Sequence, residues 1–177
     1  MKKSGEIIRK LGAADAALWR ELRLEMLRDT PTAFGKSYEE ELANPPSFYE
    51  ERFKGGLWDK GEEGITGAFV AGELVGTAGF FQNTGMKHRH EGTIWGVYVK
   101  PTCRGMGISN RVLQDVVRRA RLHPHIEQIS LTVEASNKYA VDIYSSLGFK
   151  LWGTHPRCLK LGDRYYDEHY MLLVLKS

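Results

Sequence analysis

The strongest periodicity in the chain lies at Ile108, Val112, Leu113, Val116, Val117 and Ala120, which fall on one stripe at helical spacing. The stripe predicts an amphipathic helix closed by Pro124, with Arg111, Arg118, Arg119 and Arg121 largely outside it as solvated charges by default. A second helix is predicted where Leu18, Leu22 and Met26 recur at fours, widened by Trp19, Leu24 and Leu27. Asp15 stands at its start as a cap or first-turn charge, and residues 30–35 break it. Shorter helical pieces are expected over residues 38–42 and 48–53, the latter with Ser47 as N-cap and Glu50 at the capping-box position. A last helix carries Ala140, Ile143, Tyr144 and Leu147, with Ser136 or Asn137 as its cap and Gly148 just past its end.

Alternation and β-rich composition predict strands over residues 7–11, 65–71, 74–81, 93–99 and 129–133, and again from 149–152, 158–161 and 165–175. Gly72-Glu73 is expected to turn one hairpin, and Gly162-Asp163 joins the last two strands. Helices interspersed with strands of a mixed sheet make the fold class α/β.

Between the fourth of these strands and the strongest helix lies Lys100-Pro101-Thr102-Cys103-Arg104-Gly105-Met106-Gly107-Ile108-Ser109. A strand feeding a glycine-bearing turn and then a helix presents free backbone N–H groups and a helix dipole to an anion. Diphosphate suits such a cradle, although two glycines can also simply make a tight turn. A Walker loop is excluded because no lysine follows Gly107. A dinucleotide fingerprint fits poorly, since Asn110 stands where its third glycine belongs.

The segment Arg104-x-x-Gly107-x-Ser109 resembles the acyl-CoA pyrophosphate loop of the GNAT N-acetyltransferase superfamily, whose pattern is [QR]-x-x-G-x-[GA]; Ser109 departs from it at the last position. A second segment, Asn137-x-x-Ala140-x-x-x-Tyr144-x-x-x-Gly148-Phe149, resembles the helix that follows the fifth strand of the same superfamily. The likeness extends over most of residues 65–175. It implies a mixed, mostly antiparallel six- to seven-stranded sheet flanked by helices, the acyl-CoA N-acyltransferase fold, in one domain of residues 1–177 with its acetyl-CoA core at 93–149.

Composition agrees with a soluble globular chain. Of its 177 residues 42% are hydrophobic and 27% charged, with a net charge of +3 from intermixed acids and bases, which gives no argument for nucleic acid. Lys2 and Lys3 precede no apolar run, and no stretch is long enough to span a bilayer, so neither a signal peptide nor a membrane anchor is expected and the cytoplasm is the expected location. Cys103 and Cys158 are the only cysteines, read as free thiols. A metal site at His88 and His90 is not expected.

The resemblance implies acetyl transfer from acetyl-CoA to a primary amine by direct attack in a ternary complex, with no metal and no enzyme nucleophile, so Cys103 is not given that role. It implies that Val97 and Val99 offer backbone groups to the pantetheine arm, and that Arg104, Gly105, Met106, Gly107, Ile108 and Ser109 hold the pyrophosphate. A backbone N–H near Val97 would polarise the thioester. Asn137 would bond the pantetheine, or serve only as a helix cap. Tyr144 would protonate the leaving thiolate, a phenol near pKa 10 facing a thiol of about 8.5, or be only a packed aromatic.

For the general base, Glu134 ranks first and Glu91, His88 and His90 follow, with a water chain as the equal alternative. The acceptor pocket is expected between the N-terminal helices and the closing strands, with Arg23, Phe34, Tyr38, Glu39, Trp95 and Tyr166 as its lining. The acceptor is a small amine or amino-acid derivative, or a peptide or protein amine; a homodimer is compatible with the sequence. The competing reading is a non-catalytic acyl-CoA-binding sensor or interaction module on the same fold.

Overall fold

The computed structural model describes residues 5–176. Eight strands form one sheet: β1 (Glu6–Lys10), β2 (Asp59–Lys60), β3 (Glu63–Val70), β4 (Glu73–Gln82), β5 (Glu91–Val99), β6 (Gln128–Glu134), β7 (Lys150–Leu161) and β8 (Arg164–Val174). Their order is β1-β3-β4-β5-β6-β8-β7, with the two-residue β2 beside β3. Only β5 and β6 run parallel; the other pairings are antiparallel. Apart from the short β2, the sheet has seven strands, within the six to seven that the resemblance implies.

Five helices flank the sheet: α1 (Ala16–Asp29), α2 (Tyr38–Leu42), α3 (Pro46–Lys54), α4 (Ile108–Leu122) and α5 (Lys138–Ser146). Neighbouring strand residues point to opposite faces, and the core divides accordingly. Ala68, Val75, Ala78 and Val99 pack with Ile108, Val112, Leu113 and Val116 of α4. Phe69, Leu74 and Tyr98 pack with Trp19, Leu22 and Met26 of α1 and with Tyr49 and Phe53 of α3. Because both faces of β3 and β4 are covered, those strands read as continuous apolar runs.

Several local details differ from the sequence reading. The β3–β4 turn is Ala71-Gly72, with φ of 51° and 83°, one residue earlier than expected. Both central residues take positive φ, the signature of a type I′ hairpin turn that matches strand twist. Ser47 lies inside α3, whose N-cap is Pro45, while a capping box forms at α2 between Ser37 and Glu40. The Asp15 carboxylate does not cap α1; it turns back to Arg9, with two bonds of 2.7 Å, and accepts from Gly12 N at 2.9 Å. β7 is one strand where two were expected. A register shift between His155 and Leu159, with Arg157 at φ 57°, absorbs Pro156. Two of the four arginines on α4 are anchors: Arg111 pairs with Glu6 through two bonds of 2.6 Å, and buried Arg119 bonds the Glu62 carbonyl and the Thr66 hydroxyl.

Candidate functional site

The parallel pairing of β5 and β6 is short. It joins Glu91 to Gln128, Gly92 to Ile129 and Thr93 to Ser130, and then ends. Beyond it the two strands part, and a cavity of about 1060 Å³ opens between them, with Ile94, Val97 and Val99 on one wall and Leu131, Val133 and Glu134 on the other. The cleft-facing edge of β5 therefore has no strand partner over Ile94 to Val99. Lys100 N donates to Val75 O at 2.8 Å toward β4. Alternation then turns the peptide groups of Val99 and Val97 toward the cleft.

A bulge sharpens this edge. Thr77 pairs with Tyr98 and Gly79 with Trp95, so Ala78 alone faces both Gly96 and Val97. Gly96 takes φ 60°, which glycine adopts without steric cost, and the Thr77 hydroxyl donates to its carbonyl at 3.1 Å. The bend aims the following backbone into the cavity.

At its far end β5 enters a single helical turn over Pro101–Cys103 and then the loop to α4. Gly105 and Gly107 take φ of 76° and 75°, and Gly107 is the N-cap of α4. Glycine supplies no capping side chain, so the first N–H groups of the helix, from Ile108 to Asn110, have no side-chain cap and no intrahelical acceptor. The Arg104 N–H is already used, donating to Pro101 O at 3.3 Å. Its side chain turns back, with Nε donating to Val99 O at 3.1 Å and Nη2 to Asp29.

The opposing wall carries the second motif. Asn137 is the N-cap of α5, its Oδ1 accepting from Ala140 N at 3.2 Å, which leaves its amide NH₂ free to donate. Tyr144 lines the cavity, packs edge-on against Phe149 and has no hydrogen-bond partner for its hydroxyl among the described residues. Burial pushes its phenol above the ordinary tyrosine range, so it stays protonated through neutral pH. Glu134 faces the cavity with its carboxylate fixed by Ser136, whose N–H and hydroxyl both donate at 2.9 Å.

The structure thus brings Val97, Val99, Arg104, Ser109, Glu134, Asn137 and Tyr144 to one cavity. Gly105 and Met106 lie in the adjoining loop, and the Ile108 side chain is buried under α4. Glu91 also lines the cavity; His88 and His90 do not. Of the residues expected at the acceptor end, Arg23, Phe34 and Trp95 line it. Tyr38, Glu39 and Tyr166 instead line a second hollow, of about 440 Å³, beside the β7–β8 hairpin. Glu41, in an acidic run that reads from sequence as a solvated helix face or an attractor of a cationic amine, is buried on the cavity wall; the sequence reading missed Arg52, Trp58 and Glu168, also on that wall. Glu168 is directly opposite Glu134 in the β6–β8 register, which no local sequence signal gives.

These residues suit a long ligand whose anionic end rests at the α4 terminus and whose chain follows β5. Gly107 takes a φ of 75°, which favours glycine, and a Cβ there would meet only the end of the Arg111 side chain, at 3.0 Å.

The same architecture is found in known acetyltransferases. A mycothiol acetyltransferase of Acidothermus cellulolyticus is 36% identical over 104 residues, 50% of this chain, and the chain spans 31% of that protein's length. An L-methionine sulfoximine/L-methionine sulfone acetyltransferase of Pseudomonas aeruginosa is 24% identical over 168 residues, covering 95% of this chain and 94% of that protein. A solved phosphinothricin acetyltransferase of the GNAT superfamily from Sinorhizobium meliloti, in complex with acetyl-CoA, matches with a TM-score of 0.80 over 97% of this chain and 89% of its own. At 18% identity that likeness is one of fold. The model of the Acetyltransferase (GNAT) family matches residues 19–149, nearly three quarters of the sequence, and the chain belongs to that family.

Proposed function

We propose that this chain is a one-domain, acetyl-CoA-dependent N-acetyltransferase in which a primary amine attacks the thioester directly, with both substrates bound. The observation that carries the reading is the unpaired edge of β5 running into the uncapped start of α4, along a cavity that Tyr144 lines from the other wall.

Acetyl-CoA supplies an activated acyl group as a thioester. The N–H groups from Gly105 to Ser109 hold its diphosphate, favoured by the helix dipole. Arg104 contributes by tying the loop to Val99 and Asp29 rather than by its own N–H. Val97 and Val99 receive the pantetheine arm as an added strand, and the free Asn137 amide donates to it. The N–H that follows the Gly96 bulge, near Val97, is aimed at the thioester oxygen before charge develops there.

The attacking amine must be neutral, although a free primary amine has a pKa of about 10.4. Its proton leaves through water, with Glu134, fixed by Ser136 on the β6 wall, as the side-chain acceptor. Nitrogen forms its bond to the acetyl carbon as the C–S bond breaks, Tyr144 donates its proton to the departing sulfur, and the proton that nitrogen then sheds to become an amide restores the Tyr144 phenol through water.

The test is release of free CoA from acetyl-CoA with a panel of amines. Amine-dependent release, with an N-acetyl product of the expected mass, supports the reading. Tight acetyl-CoA binding with no release on any amine would replace it with the sensor.

A further inference from the structure

The end of the cavity formed by α1, α2 and α3 carries three cations, Arg23, Lys36 and Arg52, and one anion, Glu41, which Arg23 and Lys36 share at 3.8 and 3.9 Å. Arg23 is only 8% exposed and forms part of the wall. Its Nε stands 3.8 Å from Glu41 Oε2, beyond hydrogen-bond distance, and its one hydrogen bond is a weak one from Nη1 to the Met26 sulfur at 3.8 Å. Glu41 is engaged elsewhere: it accepts from the Tyr49 hydroxyl at 2.7 Å and stands 3.9 Å from Lys36 Nζ. A buried guanidinium ordinarily has its donors met, because an unmet buried charge is costly. Burial here pulls the Arg23 pKa below its usual value, against a weaker opposing effect of Glu41.

Arg52 repeats the pattern. Its guanidinium stacks 4.2 Å from the Phe48 ring centroid and 5.4 Å from that of Trp58, and it joins no ion pair among the described residues. Arg23, Lys36 and Arg52 thus outweigh the single carboxylate of Glu41 on this wall. The other carboxylates of the cavity, Glu91, Glu134 and Glu168, lie on β5, β6 and β8, so a second positive charge directed at the helical wall would meet an excess of cations.

Distance along α1 fits a small molecule. Trp19 is the side chain nearest the Gly96 bulge, 3.8 Å from where a Cβ would lie. Arg23 follows Trp19 by one helical turn, about 5.4 Å of rise. An amine held at the bulge would have an anionic group of its own within reach of Arg23, with Trp58 and Trp95 beside its apolar body.

We infer that Arg23, assisted by Arg52, receives the carboxylate of a free amino acid with an apolar side chain, which makes that zwitterion the acetyl acceptor. The inference rests on the acetyl-transfer reading of the same cavity and uses the same bond changes: N–C forms, C–S breaks, the amine loses a proton and the sulfur gains one.

Matched pairs test it: L-phenylalanine against phenethylamine and L-methionine against 3-(methylthio)propylamine, with spermidine as the cationic control. The wild-type enzyme should favour each amino acid over its decarboxylated partner by about tenfold or more in kcat/KM, the effect of one charge-assisted hydrogen bond. Arg23→Gln should collapse that ratio, chiefly by raising KM for the amino acid. Arg52→Gln, at a half-buried position, should lower the ratio in the same direction and stands in if the first variant does not fold. Equal turnover within each pair, or a preference for spermidine, overturns the inference and leaves acetyl transfer standing. Acetylation of no amine, with acetyl-CoA still bound, overturns the acetyl-transfer reading and this inference with it.

Discussion

Arg104 donates from Nε to the carbonyl of Val99 at 3.1 Å, so the anion loop is fastened to the last residue of the strand that precedes it. The same guanidinium reaches Asp29 at the end of α1. Cutting both ties with Arg104→Ala should loosen the loop while leaving the reacting end alone. The expected result is a rise of about 5- to 30-fold in KM for acetyl-CoA, the effect of one or two hydrogen bonds, with kcat within about twofold. Steady-state kinetics with acetyl-CoA varied at saturating amine will check it; a fall in kcat at unchanged KM would contradict it.

Tyr144→Phe removes only a hydroxyl that has no protein partner, so packing against Phe149 is kept. Turnover should fall by about 100-fold or more if the phenol protonates the leaving sulfur. Affinity for acetyl-CoA, measured by calorimetry, should be nearly unchanged. Full turnover in the variant would return Tyr144 to a packing role.

Gly107→Glu places a charged side chain at the N-cap of α4, at a φ of 75° and 3.0 Å from Arg111 Nη1. Acetyl-CoA should lose its stabilising effect in a thermal melt. Retained stabilisation by acetyl-CoA would mean that the diphosphate lies elsewhere.

Stability should carry a pH signature from Asp15. The Arg9 guanidinium holds its carboxyl below the usual carboxylate range, with the Gly12 N–H adding to the effect. A depressed folded-state pKa contributes stability above the unfolded value of about 3.9 and loses it as pH falls through the folded one. Asp15→Asn should therefore lower stability by about 1 kcal/mol at neutral pH, and the gap should begin to narrow below about pH 4. Urea titrations of both proteins at pH 7 and pH 3 will measure it.

Cys158 offers a probe of the β7–β8 hairpin. Burial, with help from the Glu168 carboxylate at 3.1 Å, pushes its thiol up to about 11. In a Cys103→Ser background, alkylation should stay slow at pH 8 and rise about tenfold per pH unit until it levels near pH 11. A plateau by pH 9 would show that Glu168 is not beside the thiol.

The elements that govern the donor side were legible because each is local. The α4 stripe, the two loop glycines and the Asn137 cap all depend on residues a few positions apart, where periodicity and turn chemistry speak. The hairpin turn was misplaced by one residue because Gly72 was taken as its first position, while the I′ geometry needs positive φ at Ala71 as well. The acceptor end was least legible. Arg23 was expected at the pocket, but its burial and its nearness to Glu41 follow only once α2 and α3 close over α1. Arg52 and Trp58 meet Arg23's wall only through tertiary packing, and residues 55–64 carry no period at all. The Ser37–Glu40 capping box was visible as a motif and went unread, because Asn44-Pro45-Pro46-Ser47 offered a louder punctuation nearby.

The early end of the β5–β6 ladder has a thermodynamic consequence. Three residue pairs are the whole strand ladder between the half of the sheet that holds the N-terminal strands and the half that holds the C-terminal hairpin, with the core under α4 shared by both. The cleft-facing amides of Val97 and Val99 are therefore the exchange-labile ones in a strand whose other edge is bonded to β4. A ligand laid along that edge should slow their exchange, so those two amides report occupancy of the cleft separately from global unfolding.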